Sequence, residues 1–170
     1  MKFSEKFSII FVIHLSIFSF CQSVKLNKEN VFKVFKSTIK QPNKKLIDTS
    51  SNPWFTDNTE NKYYTSEFIE FKNARNFKRD YCKIINWNFY KNDAFILGDA
   101  NYCSEPPTQK VSKPENYSEI KLSNENENLI LQLFSQKKLI DKFRIIELQK
   151  IDSKYEKDEF DLILKLQRIK

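Results

Sequence analysis

The feature that most constrains the fold is a period of two in the apolar residues, which begins near Tyr63. The clearest case is the segment 77–90, in which five large apolar residues fall on odd positions: Phe77, Tyr81, Ile85, Trp87 and Phe89. Alternation of this kind is typical of a strand with one buried face. The same pattern predicts seven strands, over 63–72, 77–90, 94–103, 117–122, 129–134, 139–148 and 160–166. We therefore predict an all-β, mainly antiparallel fold, either a barrel or a sandwich of about seven to eight strands.

Asparagine takes the place of glycine in the turns between these strands. The chain has one glycine, Gly98, whereas the polar segments 72–76, 91–93 and 123–128 all contain asparagine. Asparagine adopts the left-handed backbone conformation more readily than most other residues with a Cβ atom, so it supports tight turns. A single glycine also excludes a glycine-rich phosphate-binding loop.

Residues 1–23 have the composition of a secretory signal peptide. Lys2 and Lys6 supply the positive charge, and the apolar stretch 7–20 follows them. This stretch is shorter than the roughly 20 residues that span a bilayer as a helix, so an uncleaved anchor is the weaker alternative. A second alternative is lipid attachment at Cys21, which would tether the protein to a membrane. We expect export to the periplasm or the extracellular space, or a lipid anchor to the envelope through Cys21.

The segment 24–45 is basic and contains one apolar cluster. The apolar residues of this cluster have helical spacing: Val31, Phe32, Phe35 and Ile39. Asn30 precedes them as an N-cap candidate, so we predict a short amphipathic helix over 30–39, with a strand as the alternative. The remaining residues, 46–170, form the predicted β domain.

Two cysteines, Cys82 and Cys103, remain once the signal peptide is removed, and an even number in an exported chain predicts a disulfide. If residues 92 and 93 form a two-residue hairpin loop, Cys82 lies directly opposite Cys103. Cα atoms at such a position are about 4.5 Å apart, which a disulfide can bridge. The same register places Trp87 opposite Gly98, where the missing side chain leaves room for an indole.

The chain has one histidine, which lies in the predicted signal peptide. The mature chain therefore lacks Ser–His–Asp and Cys–His catalysis and the imidazole ligands of most zinc sites. We predict no enzyme activity, no metal and no cofactor. The alternative is a hydrolase that uses carboxylates alone, which would require Asp57, Glu60, Asp99 and Glu105 to converge.

The formal net charge of +7 does not by itself indicate a nucleic-acid partner. Basic residues occur as pairs, such as Lys44 with Lys45 and Lys137 with Lys138, and acidic residues lie between them. In 77–90, aromatic residues lie beside Lys and Arg, as they do on protein surfaces that stack nucleic-acid bases. An alternating strand already explains these aromatic residues. We interpret these charges as a solvated surface and predict no nucleic-acid binding.

Several short features combine in the region 46–150. They are Trp54, the strand 68–71, the strand that runs from Cys82 to Phe89, and the succession of Ile120, 129–131 and 143–146. In these features the region resembles the small lipocalin-like domains of exported bacterial proteins, particularly those of Bacteroidetes. The resemblance implies a β-barrel that holds a small apolar ligand, and it provides no catalytic residues to carry over.

Five aromatic residues are the candidate lining of such a cavity: Trp54, Phe71, Tyr81, Trp87 and Phe89. A barrel of about eight strands is wide enough either to be filled by side chains or to hold one small ligand, so the same residues could instead pack a core. Our leading prediction is an exported, non-enzymatic β-barrel that binds a small hydrophobic molecule or a cell-envelope component. The alternative is an interaction or structural module of the envelope that docks a partner protein through a strand edge or the segment 24–45.

Overall fold

The computed structural model describes residues 22–39, 52–73, 82–109, 113–153 and 160–169. The strands in these ranges are β1 (Gln22–Ser23), β2 (Trp54–Asp57), β3 (Phe68–Asn73), β4 (Lys83–Lys91), β5 (Ala94–Asn101), β6 (Thr108–Gln109), β7 (Tyr117–Glu125), β8 (Asn128–Ser135), β9 (Lys138–Asp152) and β10 (Phe160–Arg168). The helices are α1 (Lys28–Ser37) and α2 (Lys62–Thr65), with 3-10 turns at Thr59–Asn61 and Pro114–Asn116. The predicted signal peptide, except for its last two residues, and Tyr81 lie outside the described residues.

Eight of these strands form a closed antiparallel barrel. Around the barrel their order is β2, β4, β5, β7, β8, β9, β10 and β3, and β3 pairs again with β2. The two short strands lie alongside, β1 against β9 and β6 against β5. The prediction of an all-β, antiparallel barrel of about eight strands is confirmed.

The connections of this barrel depart from a simple up-and-down order at one point. From β4 to β10 each barrel strand pairs with the next barrel strand along the chain. By contrast, β3 lies between β2 and β10, and β4 pairs with the opposite side of β2. The strands β3 and β4 therefore lie on opposite sides of β2.

The N-terminal helix is confirmed, with a corrected start. It begins at Lys28, and Asn27 rather than Asn30 is its N-cap residue. The side-chain oxygen of Asn27 accepts a hydrogen bond from the backbone N–H of Asn30 at 2.8 Å. The helix buries Val31 and Phe35 against the end of the barrel where β2 begins and β4 finishes.

The predicted strand 63–72 is wrong in its first part, because the chain forms α2 there and β3 starts only at Phe68. Two side chains just upstream favour the turn. The Asp57 carboxylate accepts a hydrogen bond from the Thr59 backbone N–H at 2.8 Å, and the Asn58 side-chain oxygen accepts one from the Tyr63 backbone N–H at 3.3 Å. Such local bonds compete with the backbone pairing of a strand.

The predicted register of the β4–β5 hairpin is also wrong. A bulge between Phe89 and Lys91 shifts the pairing by one residue, so Trp87 lies opposite Leu97. Gly98 instead lies opposite Asn86. The space above Gly98 therefore holds an amide side chain rather than an indole.

The disulfide itself is present despite the shifted register. Cys82 and Cys103 are bonded, and their Cα atoms lie 5.1 Å apart. The backbone N–H of Tyr102 donates to the Cys82 carbonyl, so Cys103 stands one residue beyond the position opposite Cys82. The covalent link joins the start of β4 to the loop that follows β5.

We expect Gly98→Ala to lower the free energy of unfolding by about 1–3 kcal/mol. A Cβ atom at Gly98 would lie 2.3 Å from Oδ1 of Asn86. Asn86 is buried, and its Oδ1 accepts a hydrogen bond from the Asn88 side chain at 2.6 Å, so it has little room to move. Chemical denaturation of G98A, N86A and the double variant measures the effect. A G98A penalty that is equally large in the N86A background would contradict this explanation.

We expect reduction of the disulfide to lower the free energy of unfolding by about 3 kcal/mol, because the link restricts the unfolded chain. Both cysteines are exposed, so a reductant can reach them. The measurement is urea denaturation with and without dithiothreitol. C82S/C103S serves as the control and should unfold at the same urea concentration in both conditions. An unchanged midpoint for the reduced wild-type protein would contradict the expectation.

Candidate functional site

Four of the five predicted lining residues lie in the interior of the barrel. Trp54, Phe71, Trp87 and Phe89 are all buried, whereas Tyr81 lies outside the described residues. They belong to a continuous series of rings, which we call the aromatic column: Trp54, Phe35, Phe89, Phe95, Trp87, Phe71 and Tyr63. Successive ring centroids are 4.3 to 6.1 Å apart, the spacing of packed aromatic pairs. In this conformation the rings pack against one another along the barrel.

Three members of the aromatic column were not among the predicted lining residues. Phe95 lies on β5 directly opposite Phe89, so a correct pairing of the hairpin identifies it. Phe35 comes from α1, where helical spacing already marked it as apolar. Tyr63 lies in α2, where the alternation of apolar residues predicts a strand instead. Its inward position therefore could not be predicted from that alternation.

Arg168 attaches α2 to one end of the barrel, the end that lies farther from α1. Its guanidinium donates to the backbone carbonyls of Tyr63 at 2.7 Å, Tyr64 at 2.8 Å and Ser66 at 3.0 Å. It also forms an ion pair with Asp141, at 3.0 Å between Nη2 and Oδ2. Five donors in one planar group suit this multiple attachment. The main chain around Tyr63 is therefore fixed to the barrel.

A groove lies beside α2, along the seam between β2 and β3. The two strands are paired at a single position, Phe55 opposite Lys72, although β3 extends back to Phe68. The groove has a volume of about 200 Å³ and is lined by Thr56, Asp57, Lys62, Tyr63, Ser66, Phe68, Ile69, Glu70 and Lys72. Tyr63 and Ile69 are its buried apolar members. The seam is thus a short apolar groove in the wall of the barrel.

Charged groups of both signs and one exposed ring surround this groove. Lys62 pairs with Asp57 at 3.0 Å, and Lys72 pairs with Glu70 at 3.4 Å. Phe68 is 63% exposed although it is a large apolar residue. An apolar floor with charged groups at its edge can accept a small amphipathic molecule.

Two polar groups face each other inside the barrel next to the groove. Trp87 is fully buried. The hydroxyl of Tyr63 interacts with its indole N–H. Burial raises the pKa of the Tyr63 hydroxyl well above its ordinary value, and the Trp87 N–H acts in the opposite direction. Tyr63 is therefore a neutral phenol that reaches both the groove and Trp87.

A second cleft lies where β8 begins and β9 continues toward β1. It has a volume of about 310 Å³ and is lined by Leu26, Asn124, Glu127, Asn128, Leu129, Arg144, Ile145 and Ile146. Leu129 and Ile145 are buried, whereas Ile146 is 42% exposed. This cleft is open and mainly polar at its edge.

The four carboxylates that a hydrolase would need belong to four segments: β2, the turn before α2, β5 and the loop after β5. Thr56, Ile85 and Asp99 are cross-strand neighbours, so Asp99 shares their face of the sheet and Asp57 points to the other face. Glu60 is exposed in the turn before α2, and Glu105 is exposed in the loop after β5. In the described ranges, no group of three His, Cys, Asp or Glu residues is placed to hold a metal ion.

These features define the protein as a disulfide-linked, eight-stranded antiparallel barrel with a groove in its wall. Comparisons with known protein families, characterised proteins and solved structures gave no match to this chain. Neither α1 nor α2, nor any other helix in the part of the chain that the structure describes, has the length and apolar character to cross a membrane.

We expect the Asp57 carboxylate to support the turn that carries Tyr63 only while it is ionised. Burial raises the pKa of Asp57, but hydrogen bonds from Thr59 and the Lys62 ammonium outweigh this effect and hold it below its ordinary value. A carboxyl with a lowered pKa contributes stability above about pH 4, and this is lost as the pH falls through the folded-state pKa. The acid limb of stability against pH should therefore be shallower in Asp57→Asn than in wild type.

Urea denaturation from pH 6 to pH 2 measures this slope. Glu70→Gln removes one carboxylate from the edge of the same groove and controls for the change in net charge. Equal acid-limb slopes for D57N and E70Q would contradict the role given to Asp57.

Proposed function

We propose that the protein is an exported, non-enzymatic β-barrel that binds a small hydrophobic molecule in the groove between β2 and β3. The observation that carries this proposal is the seam itself. Its two strands pair only where Phe55 meets Lys72, and the buried residues Tyr63 and Ile69 line the gap. The aromatic column occupies the centre of the barrel, so a site in the wall needs less rearrangement than a site in the centre.

The size of the groove favours a small ligand. Its volume of about 200 Å³ is below the roughly 300–1,000 Å³ of sites for drug-sized molecules. It suits one aromatic ring or the end of an acyl chain. Such a group could be a free molecule or the terminus of a larger cell-envelope component, with its polar part beside Lys62 and Lys72 or Asp57 and Glu70.

Export is supported by two independent features. The disulfide between Cys82 and Cys103 is of a kind that persists in oxidising compartments. Residues 1–23 have the composition of a signal peptide. Lipid attachment at Cys21 is the alternative. The resemblance to exported lipocalin-like domains agrees with both.

An envelope interaction module is the second candidate, favoured by exposed apolar side chains near the same end of the barrel. Tyr64 is 52% exposed, Phe68 63%, Leu139 47% and Ile140 48%. Arg168 binds the Tyr64 carbonyl and Asp141, and so holds α2 close to the start of β9. Exposed apolar groups that lie near one another are typical of a surface that binds another protein.

A fluorescent binding assay tests the groove. We expect N-phenyl-1-naphthylamine, a neutral apolar probe, to bind the purified disulfide-linked protein with an increase in its fluorescence. Phe68→Ser should weaken this binding on the order of fivefold, because it removes apolar area from the groove. Tyr117→Ser, at a 47% exposed tyrosine that does not line the groove, is the matched control and should bind as wild type does.

The L139S/I140S variant separates the two candidates. It alters exposed apolar residues outside the groove, so probe binding should remain unchanged if a small molecule is the ligand. Capture of one reproducible envelope protein that is lost in both F68S and L139S/I140S would favour the interaction module instead. No probe binding, together with no mass shift in native mass spectrometry after incubation with envelope lipid extract, would overturn the proposed ligand binding.

A further inference from the structure

The strand β3 pairs with its two neighbours over very different lengths. With β10 it pairs over all six of its residues. With β2 it forms one pair among the described residues, Phe55 opposite Lys72. Residues 68–71 therefore have a strand on one side and the groove on the other. We call the side of residues 68–71 that faces the groove the β3 edge.

The direction of the backbone groups at the β3 edge follows from the pairing with β10. In an antiparallel sheet, the N–H and C=O of one residue point to the same neighbouring strand, and successive residues alternate between the two neighbours. The Glu67 carbonyl accepts a hydrogen bond from the Arg168 backbone N–H at 2.7 Å, so Glu67 points toward β10. Phe68, Glu70 and Lys72 therefore point away from β10, and Lys72 does so to pair with β2. The backbone N–H and C=O groups of Phe68 and Glu70 thus point toward the groove.

Apolar surface lies next to these backbone groups. Ile69, between Phe68 and Glu70, is buried and lines the groove together with the buried Tyr63. The ring of Phe68 lines the same groove and is 63% exposed. The groove therefore combines an apolar floor with hydrogen-bond donors and acceptors along one wall.

An N-acylated amino acid has the chemistry that matches this wall. Its N–H and the C=O on the other side of its Cα atom point the same way in an extended conformation, as they do in a strand residue. They can therefore pair with the C=O and N–H of Phe68 or of Glu70. Unpaired backbone groups at a strand edge bind extended segments in this manner in many proteins.

The short length of the β3 edge favours a unit of one amino acid over a longer extended peptide. At one end, the chain before Phe68 leads directly into α2, which Arg168 holds in place. At the other end, the pair between Phe55 and Lys72 closes the seam. A ligand between these limits has room to pair with few residues of β3.

We propose that the groove binds an N-acylated amino acid whose N–H and C=O pair with the β3 edge, while its apolar acyl group lies on Ile69 and Tyr63. The ligand takes the place that a longer β2 would occupy. Residues that pair across two strands share a face of the sheet, so the side chain of this amino acid points outward with Phe68 or Glu70 and is weakly selected. The assignment rests on the proposed binding in the groove and adds the chemical class of the ligand.

Two probes that differ in one group test the pairing. N-hexanoyl-L-alanine methylamide has the N–H of an N-acylated amino acid, and in hexanoyl-L-lactic acid methylamide an ester oxygen replaces this N–H. We expect the first probe to displace N-phenyl-1-naphthylamine at a concentration lower on the order of fivefold, the difference made by one net hydrogen bond. Acetyl-valyl-alanine methylamide carries the same unit on a peptide and should bind more weakly than the hexanoyl compound.

Proline substitutions remove single N–H groups from the β3 edge. The N–H groups of Phe68 and Glu70 do not take part in the pairing with β10, so Phe68→Pro and Glu70→Pro are compatible with the strand. Phe68→Ser and Glu70→Gln are the matched controls, because they change the same side chains and keep the N–H. We expect at least one proline variant to bind N-hexanoyl-L-alanine methylamide more weakly than its control on the order of fivefold.

Backbone hydrogen exchange of the wild-type protein tests the pairing without any variant. Ile69 and Phe71 point toward β10, so their N–H groups should exchange slowly with and without ligand. The N–H groups of Phe68 and Glu70 should exchange quickly in the free protein. At saturating N-hexanoyl-L-alanine methylamide, exchange should slow at Phe68 or Glu70. This result decides the question if the proline variants do not fold.

The outcomes separate this inference from the proposed function. Equal displacement by the amide and the ester, with unchanged exchange at Phe68 and Glu70, overturns the pairing, whereas binding of N-phenyl-1-naphthylamine still supports the groove as an apolar site. Slow exchange of both N–H groups in the free protein also overturns the pairing, because the β3 edge is then already bonded. Tighter binding of acetyl-valyl-alanine methylamide overturns the acyl group and makes a peptide the ligand. Failure of all three compounds and of N-phenyl-1-naphthylamine to bind overturns the inference and the proposed function together.

Discussion

The structure depends on the packing of seven aromatic rings along the interior of the barrel. This aromatic column links elements that are far apart in the chain, since Phe35 comes from α1, Tyr63 from α2, and the other rings from strands. Aromatic side chains bury a large area each, so a few of them fill a small barrel. Helix α2 supplies the ring at one end of the column, Tyr63, and α1 supplies Phe35, which lies next to Trp54 at the other end. Loss of Tyr63 or Phe35 would therefore loosen a helix as well as the core.

Much of the fold could be predicted because alternation is a local property. The strands β5, β7, β8, β9 and β10 all appear where a period of two marks them. Prediction fails where an interaction of another kind decides the backbone. The side-chain oxygens of Asp57 and Asn58 accept hydrogen bonds from backbone N–H groups and bend the chain into α2, and the bulge at residue 90 shifts the hairpin by one residue. Neither effect changes the apolar pattern, so neither can be read from it.

The aromatic residues of the barrel interior could be predicted from the sequence, whereas the groove could not, because none of the four described residues of the predicted lining lines it. Trp54, Phe71, Trp87 and Phe89 do face the interior, as their positions on the strands indicate. Phe35 and Phe95 lie between these rings and join them into one packed series. The groove exists because few residues of β2 and β3 pair. The number of paired residues depends on how segments far apart in the chain pack together. Sequence patterning carries no direct signal of an unpaired seam.

The position of β3 between β2 and β10 has a consequence for how the molecule is made. Phe68 pairs with Gln167 and Asn73 with Leu162, so the barrel stays an open sheet until the residues of β10 have been synthesised and have docked. An open sheet exposes unpaired strand edges, on which other chains can add. Pairing across such sequence distances is also slow. The Cys82–Cys103 disulfide keeps β4 and β5 together while these edges are still unpaired, so it shortens the search that closes the barrel.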